Sequence, residues 1–441
     1  MPGARPKGMS AFVLIWIGQV VSLMGSAMTQ FGLGIWAWEK TGQATPLAMV
    51  GFFGVAPMIL ITPFAGVLVD RWNRKLVMAL SDIATAFSSV FILILLLLGK
   101  MEIWHLYVAS TFAGIFGAFQ WPAYSAAISL MIPKEQYGRA SGMISMAETG
   151  SGILAPILAA VLIVKIGLTG ILVIDLLTLI FALVMLMLVD VPSVASGEQS
   201  MEGRGGFFKE LAYGFHYLFS RASLLGLQLV FFFGNFFSSI AFSLLTPMIL
   251  SRTGGDATLL GSTQSAGAIG GLIGSLILTA WGGPKKKVVG VLGGWIASGI
   301  LGLFLYGITG SYYVWLVASF LMMMIIPILN GSNQAIWQAK VAPEVQGRVF
   351  SVRRLVAQIT SPLAMLIAGP LADKVMEPAM QNPESSLARL VGPVTGTGEG
   401  VGMGLIVAVC GLLMAVVGIV PFFIPTIRNV ETILPDHQSG A

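Results

Sequence analysis

Two apolar runs, residues 46–69 and 76–98, are separated only by Asp70, Arg71, Trp72, Asn73, Arg74 and Lys75. Each run is longer than the about 20 apolar residues that cross a bilayer as a helix. In hydrocarbon the backbone must satisfy its own hydrogen bonds, so helices are the expected form. A link this short folds two such helices into a hairpin whose turn lies at one membrane face. Three cations in the link place that face in the cytoplasm by the positive-inside bias. Gly54 and Gly66 permit close helix contact. On charge alone, the link is fully explained as a topogenic basic turn.

The alternation runs to the end of the chain. Apolar runs occupy residues 11–37, 46–69, 76–98, 103–131, 140–165, 168–190, 222–250, 257–281, 288–308, 312–339, 350–373 and 401–425. An even number of crossings puts both termini on one side. The links on that side then hold eighteen of the twenty-four Lys and Arg, and the other side six. That imbalance predicts cytoplasmic termini in the plasma or inner membrane. Only 10% of the residues are charged, against roughly 25% in soluble domains. A water-soluble fold would expose too much apolar surface. Segments of about ten residues with alternating polarity, the mark of a membrane β-barrel, do not occur in the sequence. The expected fold is an all-α membrane protein with twelve transmembrane helices.

Several function classes drop out. The net charge of +5 lies mostly in links between spans, so topology accounts for it and nucleic acid is not implied. Cys410 is the single cysteine and excludes an intrachain disulfide. Three scattered His (His105, His216, His437) give no metal cluster, and without a Walker loop ATP is not the energy source. No cofactor and no enzymatic chemistry are expected. Arg5 and Lys7 precede a first run too long for a signal-peptide core, so it is expected to remain as the first helix.

The longest polar interruption, residues 191–206, carries Pro192, Gly197, Gly203, Gly205 and Gly206 and reads as a flexible linker. After it, Phe207, Phe208, Leu211, Phe215, Leu218 and Phe219 recur on a helical period. They predict either an amphipathic helix on the cytoplasmic membrane surface or an extension of the next span. The expected organisation is a bundle over 1–190, a cytoplasmic linker with amphipathic helix over 191–221, a second bundle over 222–425 and a cytoplasmic tail over 426–441. Residues 376–400, with Pro378, Pro383 and Pro393, are expected as an irregular extracytoplasmic loop. The two halves share landmarks: Gly347 lies 209 residues after Gly138, as Val317 does after Val108. A repeat of six spans suits two pseudo-symmetric six-helix bundles that rock about a central site.

Gly66, Asp70, Arg71, Arg74 and Lys75 fit G-x-x-x-D-R-x-x-R-K, which resembles the loop between the second and third helices of the major facilitator superfamily. The resemblance implies the major facilitator fold and makes these residues a cytoplasmic gate latch. The basic link Lys285, Lys286 and Lys287 stands in the matching place of the second half but lacks the acid. The latch chemistry is therefore expected mainly in the first half. Phe119, Gln120, Pro122 and Ala123, with the stretch from Asn330 to Ser351, resemble the macrolide-efflux and siderophore-exporter branch, a set of drug–proton antiporters. Gly142, Ser151, Ala155, Pro156, Ala159 and Ala160 hold the positions of the superfamily's antiporter motif, with small residues in place of most glycines. The bland alternative is ordinary small-residue helix packing.

Three acids lie well inside spans: Asp82, Glu148 and Asp175. An intramembrane acid is costly and is a functional candidate by default, here for carrying a coupling proton. The alternatives are that Asp82 pairs with the basic link, that Glu148 pairs with Arg353 or Arg354, and that Asp175 reaches water. Gln19, Ser22, Ser26, Thr29 and Gln30 form one polar helical stripe, and Asn330, Asn333, Gln334, Trp337 and Gln338 another. The resemblance places Gln19, Gln30, Gln120, Trp121, Asn235, Asn333, Gln334 and Trp337 around a small-molecule substrate. Interhelical hydrogen bonding is the plainer use for the same amides. Together these features predict a secondary exporter of an amphipathic small molecule (drug-like compound, macrolide or siderophore), exchanging it for protons by alternating access. An importer or lipid flippase on the same fold, or a non-transporting sensor or scaffold, are the alternatives.

Overall fold

The computed structural model describes residues 6, 8–133, 136–191 and 207–433. Lys134, Glu135, the linker over 192–206 and the tail beyond 433 lie outside the described residues. So do the side chains of Gly66, Asp70, Arg71 and residues 207–211. Among the described residues the regular elements are helical, and ten helices are long and apolar enough to cross a membrane.

The chain divides into two compact units, Met1–Gly197 with Gly255–Ser265, and Glu198–Gly254 with Ala266–Ala441. The first holds α1 (Gly8–Thr41), α2 (Ala44–Arg71), α3 (Arg74–Leu97), α4 (Ile103–Met131) and α5 (Tyr137–Leu188). As expected, α2 and α3 form a tight hairpin, joined by Trp72 and Asn73 alone. Asn73 Oδ1 accepts from Leu76 N at 3.2 Å and caps α3. His105 has a structural job. Its Nδ1 accepts from Glu102 N at 2.9 Å in a capping box that starts α4.

The runs expected over 140–165 and 168–190 are joined without a loop. Gly167, at φ 65° and ψ −178°, breaks α5 where an L side chain would be strained. The half of α5 after this break packs on α1 through a stripe of small residues spaced by seven. Gly18 faces Ala182, Gly25 faces Asp175 and Thr178, and Gly32 faces Leu168. Between α4 and α2, a methyl on Gly114 would overlap the carbonyl of Gly54.

The second unit starts with α6 (Phe207–Phe219), a helix of its own rather than an extension of α7 (Ala222–Arg252). It packs on α11 (Pro343–Gln358), where a methyl on Gly214 would come 2.7 Å from Arg348 O. After α8 (Ala257–Trp281), α9 (Lys287–Ile308) is π-helical over Ser298–Phe304. From α10 (Tyr312–Lys340), the carbonyls of Phe320 and Met324 press on Gly270 and Gly274 of α8. The eleventh expected run, 350–373, is extended at both ends. Helix starts at Pro343 and continues through α12 (Thr360–Leu371) to Gln381.

The supposed irregular loop over 376–400 is largely helical. Glu377–Gln381 is followed by α13 (Ser386–Thr395), which Ser385 caps by accepting from Ala388 N at 3.0 Å. Pro383 falls between the two helices and Pro393 lies inside the second, near its end. Pro378 lies in the first turn of its helix, where no intrahelical donor is lost. The last membrane helix, α14 (Val401–Ile419), is followed by a short 3-10 turn and the helical turns Pro425–Arg428 and Val430–Ile433.

Candidate functional site

Three residues from three helices meet in the first unit. Gln120 on α4 donates through Nε2 to Asp82 Oδ1 on α3 at 3.0 Å, and reaches Gln19 Oε1 on α1 at 3.5 Å. Asp82 is 6% exposed. Among the described residues its Oδ2 has no hydrogen-bond partner and no cation pairs with it; Gln120 Oε1 and the Tyr124 hydroxyl are likewise buried without partners. The sequence put Asp82 with the coupling candidates and the two glutamines with the cavity candidates. The structure brings them into one cluster. Among the described residues Asp82 does not pair with the basic link. Lys75 instead donates to Met187 O at 3.1 Å and Val189 O at 2.6 Å, tying off the end of α5, and Arg74 donates to Ala126 O at 3.3 Å.

Asp175 has a different setting. At 1% exposure it does not reach water. Ser26 donates to its Oδ1 at 3.0 Å and Ser89 to its Oδ2 at 2.9 Å, so both oxygens are engaged. This carboxyl joins α1, α3 and α5. Glu148 is exposed and makes no hydrogen bond or ion pair among the described residues. Arg353 bonds within its own unit: Nη1 donates to Gln334 Oε1 at 2.8 Å and the guanidinium lies 5.2 Å from the Trp337 ring centre.

The antiporter-motif positions form a physical stripe. Ser151, Ala155, Pro156, Ala159 and Ala160 are all buried, whereas Gly142 is exposed with open space beside it. Within the first unit the stripe meets the start of α8. A methyl on Gly261 would come 2.7 Å from Pro156 O and 3.0 Å from Ala160 Cβ, and Ser265 donates to Ile153 O at 2.8 Å. Small side chains here let two backbones approach.

The cavity candidates are not alike. Gln30 and Trp121 are exposed, while Gln19, Gln120, Asn235 and Gln334 are half-buried. Asn333 and Trp337 satisfy each other instead: Trp337 Nε1 donates to Asn333 Oδ1 at 3.0 Å with both side chains buried.

Two clusters escaped the sequence. The basic link before α9 does have an acid, supplied from far along the chain. Glu431 accepts from Lys287 N at 3.1 Å and Val288 N at 2.9 Å, and Lys340 Nζ donates to Glu431 O at 2.5 Å. The helix start carries a partial positive charge, which an acid complements. Local pattern gives no hint of a partner this distant. In the second cluster, Glu377 is 8% exposed and accepts from Gly400 N at 3.0 Å and Met403 N at 2.7 Å. Beside it Arg252 donates to Gly400 O at 3.0 Å and Thr309 O at 2.5 Å. Together they fasten the start of α14.

A helical fold with buried acids inside apolar helices and glycine-mediated packing fits a polytopic membrane protein. Residues 15–375 match the Major Facilitator Superfamily, and the chain belongs to that family. It is 29% identical over 369 residues to Macrolide efflux protein A of Streptococcus pyogenes, covering 82% of this chain and 90% of that one. To Macrolide efflux protein A of Enterococcus faecalis it is 28% identical over 329 residues, with 74% and 100% covered. To the multidrug efflux pump Tap of Mycolicibacterium fortuitum it is 23% identical over 371 residues, with 82% and 89% covered. Among solved structures, a bacterial homolog of the human lysosomal transporter Spinster superposes with a TM-score of 0.65 at 15% identity, over 97% of this chain and 99% of that one. The nucleoside transporter NupG gives 0.65 at 12% identity, over 94% and 99%. These last two likenesses speak for the fold alone.

Proposed function

We propose that this transporter exports an amphipathic small molecule of the macrolide class across the plasma or inner membrane by alternating access, in exchange for protons. The efflux relatives, which align with 82% and 74% of this chain, support the cargo. The observation that carries the coupling half is the Asp82 cluster. As an anion, Asp82 accepts from Gln120. Once protonated, its partnerless Oδ2 becomes a donor. One proton thus changes the bonds among α1, α3 and α4. Asp175 has both oxygens engaged by hydroxyls and serves packing. Glu148 stays an exposed secondary candidate.

In this reading Gly66, Asp70, Arg71, Arg74 and Lys75 form the cytoplasmic gate, and the stripe from Ser151 to Ala160 keeps helix packing tight. Gln19, Gln30, Gln120 and Trp121 in the first unit, and Asn235 and Gln334 in the second, contact cargo. Asn333 and Trp337 back them from behind. Both termini are cytoplasmic, as the charge bias requires. The experiment is transport of a labelled macrolide into everted vesicles under an imposed pH gradient. Accumulation that collapses with an uncoupler supports antiport; accumulation indifferent to gradient and uncoupler removes it.

A further inference from the structure

Helix α13 carries more apolar surface than the protein covers. At 3.6 residues per turn, Leu390, Val394, Leu387, Val391 and Ala388 fall within one arc of about 160°. Thr395 lies in the same arc, with its hydroxyl turned back onto Val391 O at 3.1 Å. Arg389 stands opposite the centre of the arc and pairs with Glu384, both of them exposed. One flank of the arc is packed. Ala388 joins Met380 and Val401, the first residue of α14, in a buried cluster against which Leu387 and Val391 also pack. The other flank is bare: Leu390 is 77% exposed and Val394 69%. The helix is fastened on both sides, since Ser385 Oγ donates to Ala379 O at 2.5 Å before it and Gly398 N donates to Met380 O at 3.1 Å after it.

The depth of α13 follows from α14. The apolar span that begins there, Val401–Phe423, has 23 residues. At 1.5 Å per residue it is about 35 Å long, against a hydrocarbon core of about 30 Å. The excess is less than one helical turn, so Val401 lies at the edge of the hydrocarbon. Ala388 shares a cluster with Val401, which sets α13 at the same level. We propose that α13 is an interfacial helix whose bare flank is covered by lipid. Leu390 and Val394 sit among the acyl chains of the leaflet at the start of α14, the outer leaflet in the topology proposed above, while Arg389 and Glu384 stay in the hydrated headgroup layer. The bare flank adjoins the packed one, as fits a helix lying in the interface with protein at its side and hydrocarbon beneath it. The contact anchors the start of α14 to that leaflet.

The test uses full-length protein in lipid nanodiscs, with Cys410→Ala removing the native thiol and a polarity-sensitive fluorophore on one introduced cysteine. Leu390→Cys, Val394→Cys and Glu384→Cys are compared. For Leu390→Cys and Val394→Cys the emission is expected to shift to shorter wavelength, to be quenched by a lipid spin-labelled at the top of its acyl chain, and to be spared by iodide. For Glu384→Cys, iodide is expected to quench and the lipid to spare. Iodide quenching of Leu390→Cys and Val394→Cys equal to that of Glu384→Cys overturns the proposal, because the flank then faces water. Protection of both from either quencher also overturns it, because a second protein then covers the flank. Since a label can displace a short helix, the wild-type protein is photolabelled in parallel with a lipid-soluble diazirine. Modification of Leu390 and Val394 but not of Glu384 supports the lipid contact. Modification of neither, in a preparation where α14 itself is modified, overturns it whether or not the protein exports macrolides.

Discussion

Gln120 Nε2 donates to Asp82 Oδ1 at 3.0 Å from the neighbouring helix, while Asp82 Oδ2 has no partner among the described residues. Replacing Gln120 by Leu keeps much of the volume and removes the donor. A hydrogen bond to a charged group contributes about 1.5 kcal/mol or more, so uphill export should slow about ten-fold. The pH–rate profile should move as well, which a purely structural defect would not produce. Initial rates in everted vesicles across pH check both.

Asp175 makes a contrasting case. With Ser26 and Ser89 on its two oxygens, an amide in its place still accepts one hydroxyl and can donate to the other. Asp175→Asn should keep most of the gradient-driven rate. Asp175→Leu should lower stability by about 1–3 kcal/mol, since the half-buried Ser26 and buried Ser89 hydroxyls lose their acceptor. Vesicle transport checks the first and thermal unfolding of purified protein the second.

Glycine contacts give a pair with opposite outcomes on one helix. A methyl on Gly114 overlaps the backbone carbonyl of Gly54, which cannot rotate away; around Gly117 there is open space. Gly114→Ala should cost about 1–3 kcal/mol through overpacking and lower the unfolding midpoint by several degrees. Gly117→Ala should leave it unchanged or slightly raised. Differential scanning of the two variants side by side decides.

Glu431 caps α9 from the end of the described chain. Glu431→Ala strips an acceptor from two amides and should lower stability by about 1–2 kcal/mol. Glu384, an exposed acid paired with Arg389 at the surface, is the control, because exposed pairs contribute little. Glu384→Ala should melt with the wild type.

Much of the fold was legible because hydrocarbon imposes a length and a polarity on every span. The α2–α3 hairpin, the separate spans meeting at Gly167 and the small-residue stripe from Ser151 to Ala160 follow from local pattern. The extra length of α11 and α12 did not, because polar residues in Pro343–Gln358 hide a helix from hydropathy. The helical segments Glu377–Gln381 and Ser386–Thr395 were read as loop from their prolines, although Pro378 sits in a first turn, Pro383 falls between the two helices and Pro393 lies near the end of the second. Residue types at the site were legible, since an acid or amide in an apolar run stands out. Their partners were not. Asp82 with Gln120, Glu377 with Met403 and Glu431 with Lys287 are joined by tertiary packing alone.

The central claim is that Asp82 carries the coupling proton, and Asp82→Asn in proteoliposomes tests it most directly. Asn preserves the shape and an acceptor for Gln120 but cannot take up and release a proton. Accumulation of labelled macrolide against its gradient, driven by an imposed pH difference, should vanish. Exchange of labelled for unlabelled macrolide at equilibrium should persist. Wild-type accumulation by Asp82→Asn under the same pH difference would contradict the account.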